Sequence, residues 1–121
     1  MNIGLSEENI DRYARQIILK NVGPTGQKKI LNAKVLIIGG GGLGSPVSDS
    51  LSRAGVGRIG IADYDKVNLS NIHRQSMFSS EDIGKYKVDV IKKRIKLINP
   101  KVKVKIFKKN VTKKNIEKIF K

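Results

Sequence analysis

Glycines at positions 39, 41 and 44 give the spacing G-x-G-x-x-G, directly after the apolar run 35–38 and ahead of a segment with helical periodicity. The first glycine permits a tight turn, the second lets a phosphate or sugar approach the main chain, and the third lets helix and strand pack closely. A helix starting there presents free N–H groups and partial positive charge, both suited to an anion. Asp63 closes the next apolar run, where a carboxylate can accept hydrogen bonds from ribose hydroxyls. Together these residues read as a nucleotide site, with a glycine turn that only packs as the alternative. The nucleotide stays open. On these residues alone, an NAD-dependent dehydrogenase half-domain is the first comparison.

Such residues need a sheet and helices to hold them. Ser6 is expected to cap a helix reaching about residue 20, with Ile10, Tyr13 and Ile17 on one face and Arg12 and Arg15 on its other sides. Gly23-Pro24 breaks the chain, and a short helix is expected over 26–31. Residues 35–38 are continuously apolar and β-rich, which predicts a fully buried strand. Val47, Leu51 and Ala54 share one face of a helix over 43–54, with Pro46 tolerable in its first turn. A second strand is expected over 58–62. A helix over 84–98 buries Val88, Ile91, Ile95 and Ile98 before Asn99-Pro100 stops it. Val102, Val104 and Ile106 alternate with Lys101, Lys103 and Lys105, a third strand with one wet face. Thr112 is expected to cap a last short helix carrying Ile116, Ile119 and Phe120. Strand–helix–strand–helix–strand calls for a parallel sheet with right-handed crossovers. The fold class is therefore α/β, a Rossmann-like parallel sheet with flanking helices, preceded by an N-terminal helical segment over 1–33.

The 121 residues allow one domain with a modest core. Val35-Leu36-Ile37-Ile38, the longest apolar stretch, is too short to span a bilayer. The N-terminus lacks the charged and apolar regions of a secretory signal. With no cysteine there is no disulfide, thiolate metal site or thiol nucleophile, and a cytoplasmic location is expected. The net charge of +15 is uneven: residues 1–84 carry ten basic and eight acidic side chains, residues 85–121 fifteen and two. Arg94 is the one arginine of that basic lobe, and only Tyr86, Phe107 and Phe120 offer rings for stacking. That composition favours a solvated lysine surface over a nucleic-acid partner.

Three further segments narrow the reading. Arg12-Tyr13-Ala14-Arg15-Gln16-Ile17 lies in the first helix, Asp63-Tyr64-Asp65-Lys66-Val67-Asn68-Leu69-Ser70-Asn71-Ile72-His73-Arg74-Gln75 follows the second strand, and Gly84-Lys85-Tyr86-Lys87 opens the third main helix. With Gly39-Gly40-Gly41-Gly42-Leu43-Gly44-Ser45-Pro46, these resemble the ThiF/MoeB/HesA family, E1-like relatives of the ubiquitin-activating enzymes, from Ser6 to the end. The resemblance implies an adenylyltransferase that uses ATP to activate the C-terminal glycine carboxylate of a ubiquitin-like sulfur carrier ending in Gly-Gly, in the thiamine or molybdopterin manner, with release of pyrophosphate. It also implies a homodimer and makes residues 34–121 the ATP-binding domain.

By this resemblance Gly39, Gly41, Gly42 and Gly44 would bed the nucleotide, and Asp63 would hold the ribose. Ser70, Asn71, Ile72, His73 and Arg74 would wrap the phosphates, with Asn71 as a neutral donor and Arg74 as a planar fork. Lys87 would supply charge near the α-phosphate, and Arg15 would reach into the neighbouring subunit's site. Arg15, Arg74 and Lys87 are thus the catalytic candidates, a set suited to chemistry that needs positioning and charge neutralisation. Each has a plainer alternative: a surface cation for Arg74 or Lys87, and an ion pair with Asp11 for Arg15. His73, the one histidine, reads as an exposed position without a base or ligand role. Asp65 is either a second ribose or metal contact or a turn cap.

The family pattern continues with an Asp-x-x-Asp-Asn-like segment whose first aspartate meets ATP with its magnesium; nothing up to Lys121 matches it. The two CxxC pairs of the family's structural zinc are absent as well. The expectation is the first half of the fold, incomplete. ATP would arrive with Mg2+ whose protein ligand lies beyond residue 121, and this chain would supply no metal ligand. The strand over 35–38 would present an open edge. By itself the chain is expected to bind ATP weakly and to support no carrier-dependent pyrophosphate exchange. A non-catalytic nucleotide- or carrier-binding module is the alternative function.

Overall fold

The structure is a computed structural model that describes residues 4–120. Three parallel strands, β1 (Lys34–Ile38), β2 (Arg58–Ala62) and β3 (Lys103–Phe107), form one sheet in the order β1-β2-β3. The register aligns Val35, Ile59 and Val104 in one row and Ile37, Ile61 and Ile106 in another. Helix α4 (Gly44–Ala54) joins β1 to β2, and α5 (Lys87–Ile98) joins β2 to β3. Both rows face the core, where Ile59, Ile61, Val88, Ile91 and Ile95 are wholly buried. Each such side chain contributes about 1.5–3 kcal/mol relative to an exposed one. This is the expected Rossmann-like arrangement.

The helix expected over residues 6–20 is two pieces, α1 (Glu7–Arg12) and α2 (Ala14–Ile17). Ser6 caps the first as expected, its side chain accepting from the Asn9 N–H at 3.1 Å. The break falls at Tyr13, whose buried hydroxyl accepts a 2.8 Å hydrogen bond from Asn99 Nδ2 and whose ring lies where a Cβ on Gly55 would stand. Tertiary anchoring of that ring outweighs continuation of the helix. Helix α3 spans Gly23–Leu31, starting earlier than expected because Pro24 sits in its first turn, where its fixed φ suits a helix. Gln16 and Gln27 both donate to the Ala54 carbonyl at 3.1 Å, and Arg12 donates to the Ile98 carbonyl at 3.1 Å. The N-terminal helices are therefore fastened to the ends of α4 and α5.

Full burial of β1 is corrected. Ile37 is buried, Val35 and Leu36 are half-buried, and Ile38 is 56% exposed. β1 is an outer strand, and the core formed with α4 and α5 takes only the sheet face bearing Val35 and Ile37. Helix α5 begins at Lys87 instead of residue 84, because Gly84 has φ +88° and Lys66 bridges Tyr86 in antiparallel fashion. Of its expected core face, Ile98 is only half-buried. Ahead of the final helix, α6 (Ile116–Phe120), Asn115 Oδ1 accepts from the Thr112 N–H at 2.8 Å and the Thr112 carbonyl accepts from the Ile116 N–H at 3.1 Å, while no helix N–H bonds to the Thr112 hydroxyl among the described residues. Among the described residues no helix is long and apolar enough to cross a membrane.

Candidate functional site

The glycine turn leaves β1 at its carboxyl end and enters α4. Gly39 has φ +96°, a conformation that favours glycine. A Cβ on Gly44 would overlap the Gly39 carbonyl oxygen and stand 3.2 Å from Ile37 Cγ2, so close packing of helix on strand demands glycine there. Gly41 and Gly42 differ: the nearest atoms to a Cβ on them are side-chain nitrogens, Gln75 Nε2 at 3.6 Å and Lys87 Nζ at 4.0 Å for Gly41, and Arg74 Nη1 at 3.5 Å for Gly42. The turn's outer glycines serve the backbone, while the inner ones face donors.

Asp63 follows β2 and buttresses the turn. Its Oδ2 accepts from the Gly40 N–H at 2.6 Å, and its Oδ1 accepts from the Asp65 N–H at 2.8 Å. Each carboxylate oxygen keeps a further lone pair, so contact with a ribose hydroxyl stays open to it. Asp65 is exposed, and its backbone carbonyl accepts from the Lys87 N–H at 3.0 Å. Val67 donates to Lys85 and accepts from Gly84, completing a short two-chain clasp. The clasp places Lys87 as the first residue of α5, facing the turn.

Lys87 is 6% exposed, yet its ammonium has no hydrogen bond or ion pair among the described residues. An anion at Gly41 would give that ammonium a partner. Arg74 is exposed, and its guanidinium is likewise without an ion pair. Asn71 is buried, and its Oδ1 accepts from the Asn68 N–H at 2.8 Å, which leaves the Nδ2 amide as the group free to donate. Ser70 and His73 are exposed, and Ile72 packs against the core.

Thus Gly41, Gly42, Arg74 and Lys87 come together, and Asp63 joins them through Gly40. Arg15 stands apart, exposed on α2, with no hydrogen bond or ion pair to the turn or to Asp11 among the described residues. Two residues escaped the sequence reading. At Gly40 a Cβ would lie 3.0 Å from Ile91 Cδ1 and 3.3 Å from Asp63 Oδ2, so this intervening position is also constrained; the unbroken run of four glycines was its signal. Gln75, beside Arg74 in the motif, is 2% exposed and turned toward Gly41. No cluster of three or more His, Cys, Asp or Glu suited to a metal occurs among the described residues.

Residues 13–121 match the ThiF family. A sulfur carrier protein adenylyltransferase of Thermus thermophilus is 44% identical over 110 residues, covering 91% of this chain and 41% of that protein. The adenylyltransferase and sulfurtransferase MOCS3 of Caenorhabditis briggsae is 39% identical, covering 98% of this chain and 29% of that protein. The chain thus spans less than half the length of these relatives. Among solved structures, PaaA superposes with TM-score 0.88 at 35% identity, over 95% of this chain and 38% of that one. The E. coli tRNA N6-threonylcarbamoyladenosine dehydratase TcdA, solved with ATP, superposes with TM-score 0.84 at 26% identity, over 95% of this chain and 46% of that one.

Proposed function

The chain belongs to the ThiF family, and from that premise we propose that it serves an ATP-dependent adenylyltransferase that activates the C-terminal glycine carboxylate of a ubiquitin-like sulfur carrier. One observation carries the reading: the Lys87 ammonium, on a largely buried stem and unpaired among the described residues, and the Arg74 guanidinium converge on the open glycines 41 and 42. In the reaction a carboxylate oxygen bonds to the α-phosphorus, the bond from that phosphorus to the bridging oxygen breaks, and pyrophosphate leaves with its electron pair. Charge builds on the phosphate oxygens as this happens, and fixed cations in a partly dry site stabilise it. Lys87 would face the α-phosphate, Arg74 the outer phosphates, Asn71 Nδ2 would donate beside them, and Asp63 would take the ribose.

Arg15 has a separate place in the proposal. Its exposed side chain lies beside Ile18 and Leu19, which are 75% and 54% exposed. An apolar patch next to an unpaired cation suits the interface of a homodimer, with Arg15 completing the partner's site.

The test is a chimera in which this chain replaces the matching 110 residues of the Thermus thermophilus adenylyltransferase. The chimera should catalyse exchange of pyrophosphate into ATP when given a sulfur carrier, and Lys87→Ala or Arg74→Ala should abolish it. The 121-residue chain alone should bind ATP weakly, in preference to NAD, without carrier-dependent exchange. A folded chimera that binds ATP but exchanges no pyrophosphate overturns the reading.

A further inference from the structure

Gln75 sits on a rigid pedestal inside the site. Its N–H donates to the Asn71 carbonyl at 2.9 Å, its carbonyl accepts from the Phe78 N–H at 3.1 Å, and the nearby Met77 N–H donates to buried Ser45 Oγ at 3.1 Å. The side chain is 2% exposed, and its Oε1 is buried without a hydrogen-bond partner. An unsatisfied buried amide oxygen is a defect that native structures seldom keep without a reason. Across the same glycine stands Lys87, whose ammonium has three N–H donors and no protein acceptor among the described residues. Gln75 Nε2 and Lys87 Nζ approach one point, the Cβ position of Gly41, to 3.6 and 4.0 Å. A hydrogen bond from the ammonium would satisfy the stranded Oε1.

We propose that Gln75 is a positioning residue for Lys87: a turn of its terminal amide brings Oε1 to accept one N–H of the ammonium and aims the other two at the phosphate lying over Gly41. The amide suits this task because it is neutral. It fixes the direction of the cation without cancelling its charge, which a carboxylate at the same place would do.

The inference rests on the proposed nucleotide site, and the experiment separates the two. Gln75→Met, Lys87→Met and the double variant are made in the 121-residue chain and read as a double-mutant cycle, in ATP affinity and in the urea midpoint without nucleotide. Gln75→Met alone should weaken ATP about three- to tenfold while leaving adenosine binding unchanged, and should have no further effect once Lys87 is Met. Gln75→Glu should weaken ATP more than Gln75→Met does, since it pairs with the cation and repels phosphate. Additive shifts in both readouts overturn the pairing. Wild-type chain that binds no ATP counts against the nucleotide site alone, since coupled urea midpoints would still uphold the pairing and additive ones would still sink it.

Discussion

Asp63 Oδ2 accepts the Gly40 N–H at 2.6 Å, so a carboxylate at the end of β2 fixes the turn that leaves β1, twenty-three residues earlier in the chain. The same side chain, through Oδ1, holds the Asp65 N–H, and Asp65 in turn holds the N–H of Lys87. One acid therefore links the glycine turn to the cation that faces it. Its function in the fold precedes any contact with ribose.

Replacing that acid should consequently cost stability as well as affinity. Asp63→Ala leaves the buried Gly40 N–H without an acceptor, a loss of about 1–3 kcal/mol. Asp63→Asn keeps one side-chain oxygen and should lose less. Urea unfolding of the free chain measures the cost directly. Equal stability of Asp63→Ala and wild type would show that the buttress is unimportant.

The glycines should separate into two classes. Gly44→Ala drives a Cβ into the Gly39 carbonyl, backbone that cannot move aside, and should destabilise the chain by roughly 3 kcal/mol or more. Gly41→Ala meets only side-chain ends at 3.6 and 4.0 Å; it should fold normally and lose ATP affinity by filling ligand space. Paired unfolding and binding curves for the two variants decide this, and a destabilised Gly41→Ala with intact affinity would reverse the assignment.

How much of this was legible beforehand follows from the range of the interactions involved. The parallel sheet, both crossover helices and the glycine turn depend on local periodicity and turn chemistry, and they stand where expected. Tyr13 could not be read, because its hydroxyl bonds Asn99 from 86 residues away and that contact breaks the first helix. Nor could the start of α5 be read, because the clasp between residues 65–67 and 84–87 joins two irregular segments. The exposure of Ile38 depends on strand order, which a single apolar run does not encode. Within the site, Lys87 and Arg74 were nameable by motif, whereas the burial that isolates Lys87 and strands Gln75 Oε1 exists only in three dimensions.

Lys87 should matter for binding and little for stability. Its ammonium has no hydrogen bond or ion pair among the described residues while its stem is buried, so Lys87→Met keeps the apolar packing and should leave the urea midpoint little changed. Loss of a charge-assisted hydrogen bond to phosphate, about 1.5–3 kcal/mol, should weaken ATP roughly ten- to hundredfold. Isothermal titration beside urea unfolding checks both expectations, and a lower midpoint with unchanged affinity would make Lys87 a structural residue.

The sheet carries a further electrostatic cost away from the site. Lys34, Arg58 and Lys103 lie in register on adjacent strands, all exposed and without an ion pair among the described residues. Like charges directly opposite destabilise a sheet. Arg58→Glu turns two repulsions into two attractions and should raise stability by about 0.4–2 kcal/mol, from roughly 0.2–1 kcal/mol per cross-strand pair. The gain should shrink in high salt; thermal melts at two ionic strengths measure it, and a lower melting temperature for the variant would refute the pairing argument.

Arg15 gives the test that bears on assembly. If it serves the partner's site, Arg15→Ala and Lys87→Ala chimeras are each inactive for pyrophosphate exchange, yet mixed dimers contain one intact site. That site combines Lys87 of the Arg15→Ala protomer with Arg15 of the Lys87→Ala protomer, and the second site lacks both. Random re-pairing of equal amounts makes about half the dimers mixed, so about a quarter of the sites, and of the wild-type rate, should return. An arginine acting in its own subunit would leave both sites of every mixed dimer broken. Exchange measured after unfolding and refolding the two variants together therefore distinguishes the arrangements: recovery near a quarter places Arg15 across the interface, and no recovery places it within its own chain or outside the site.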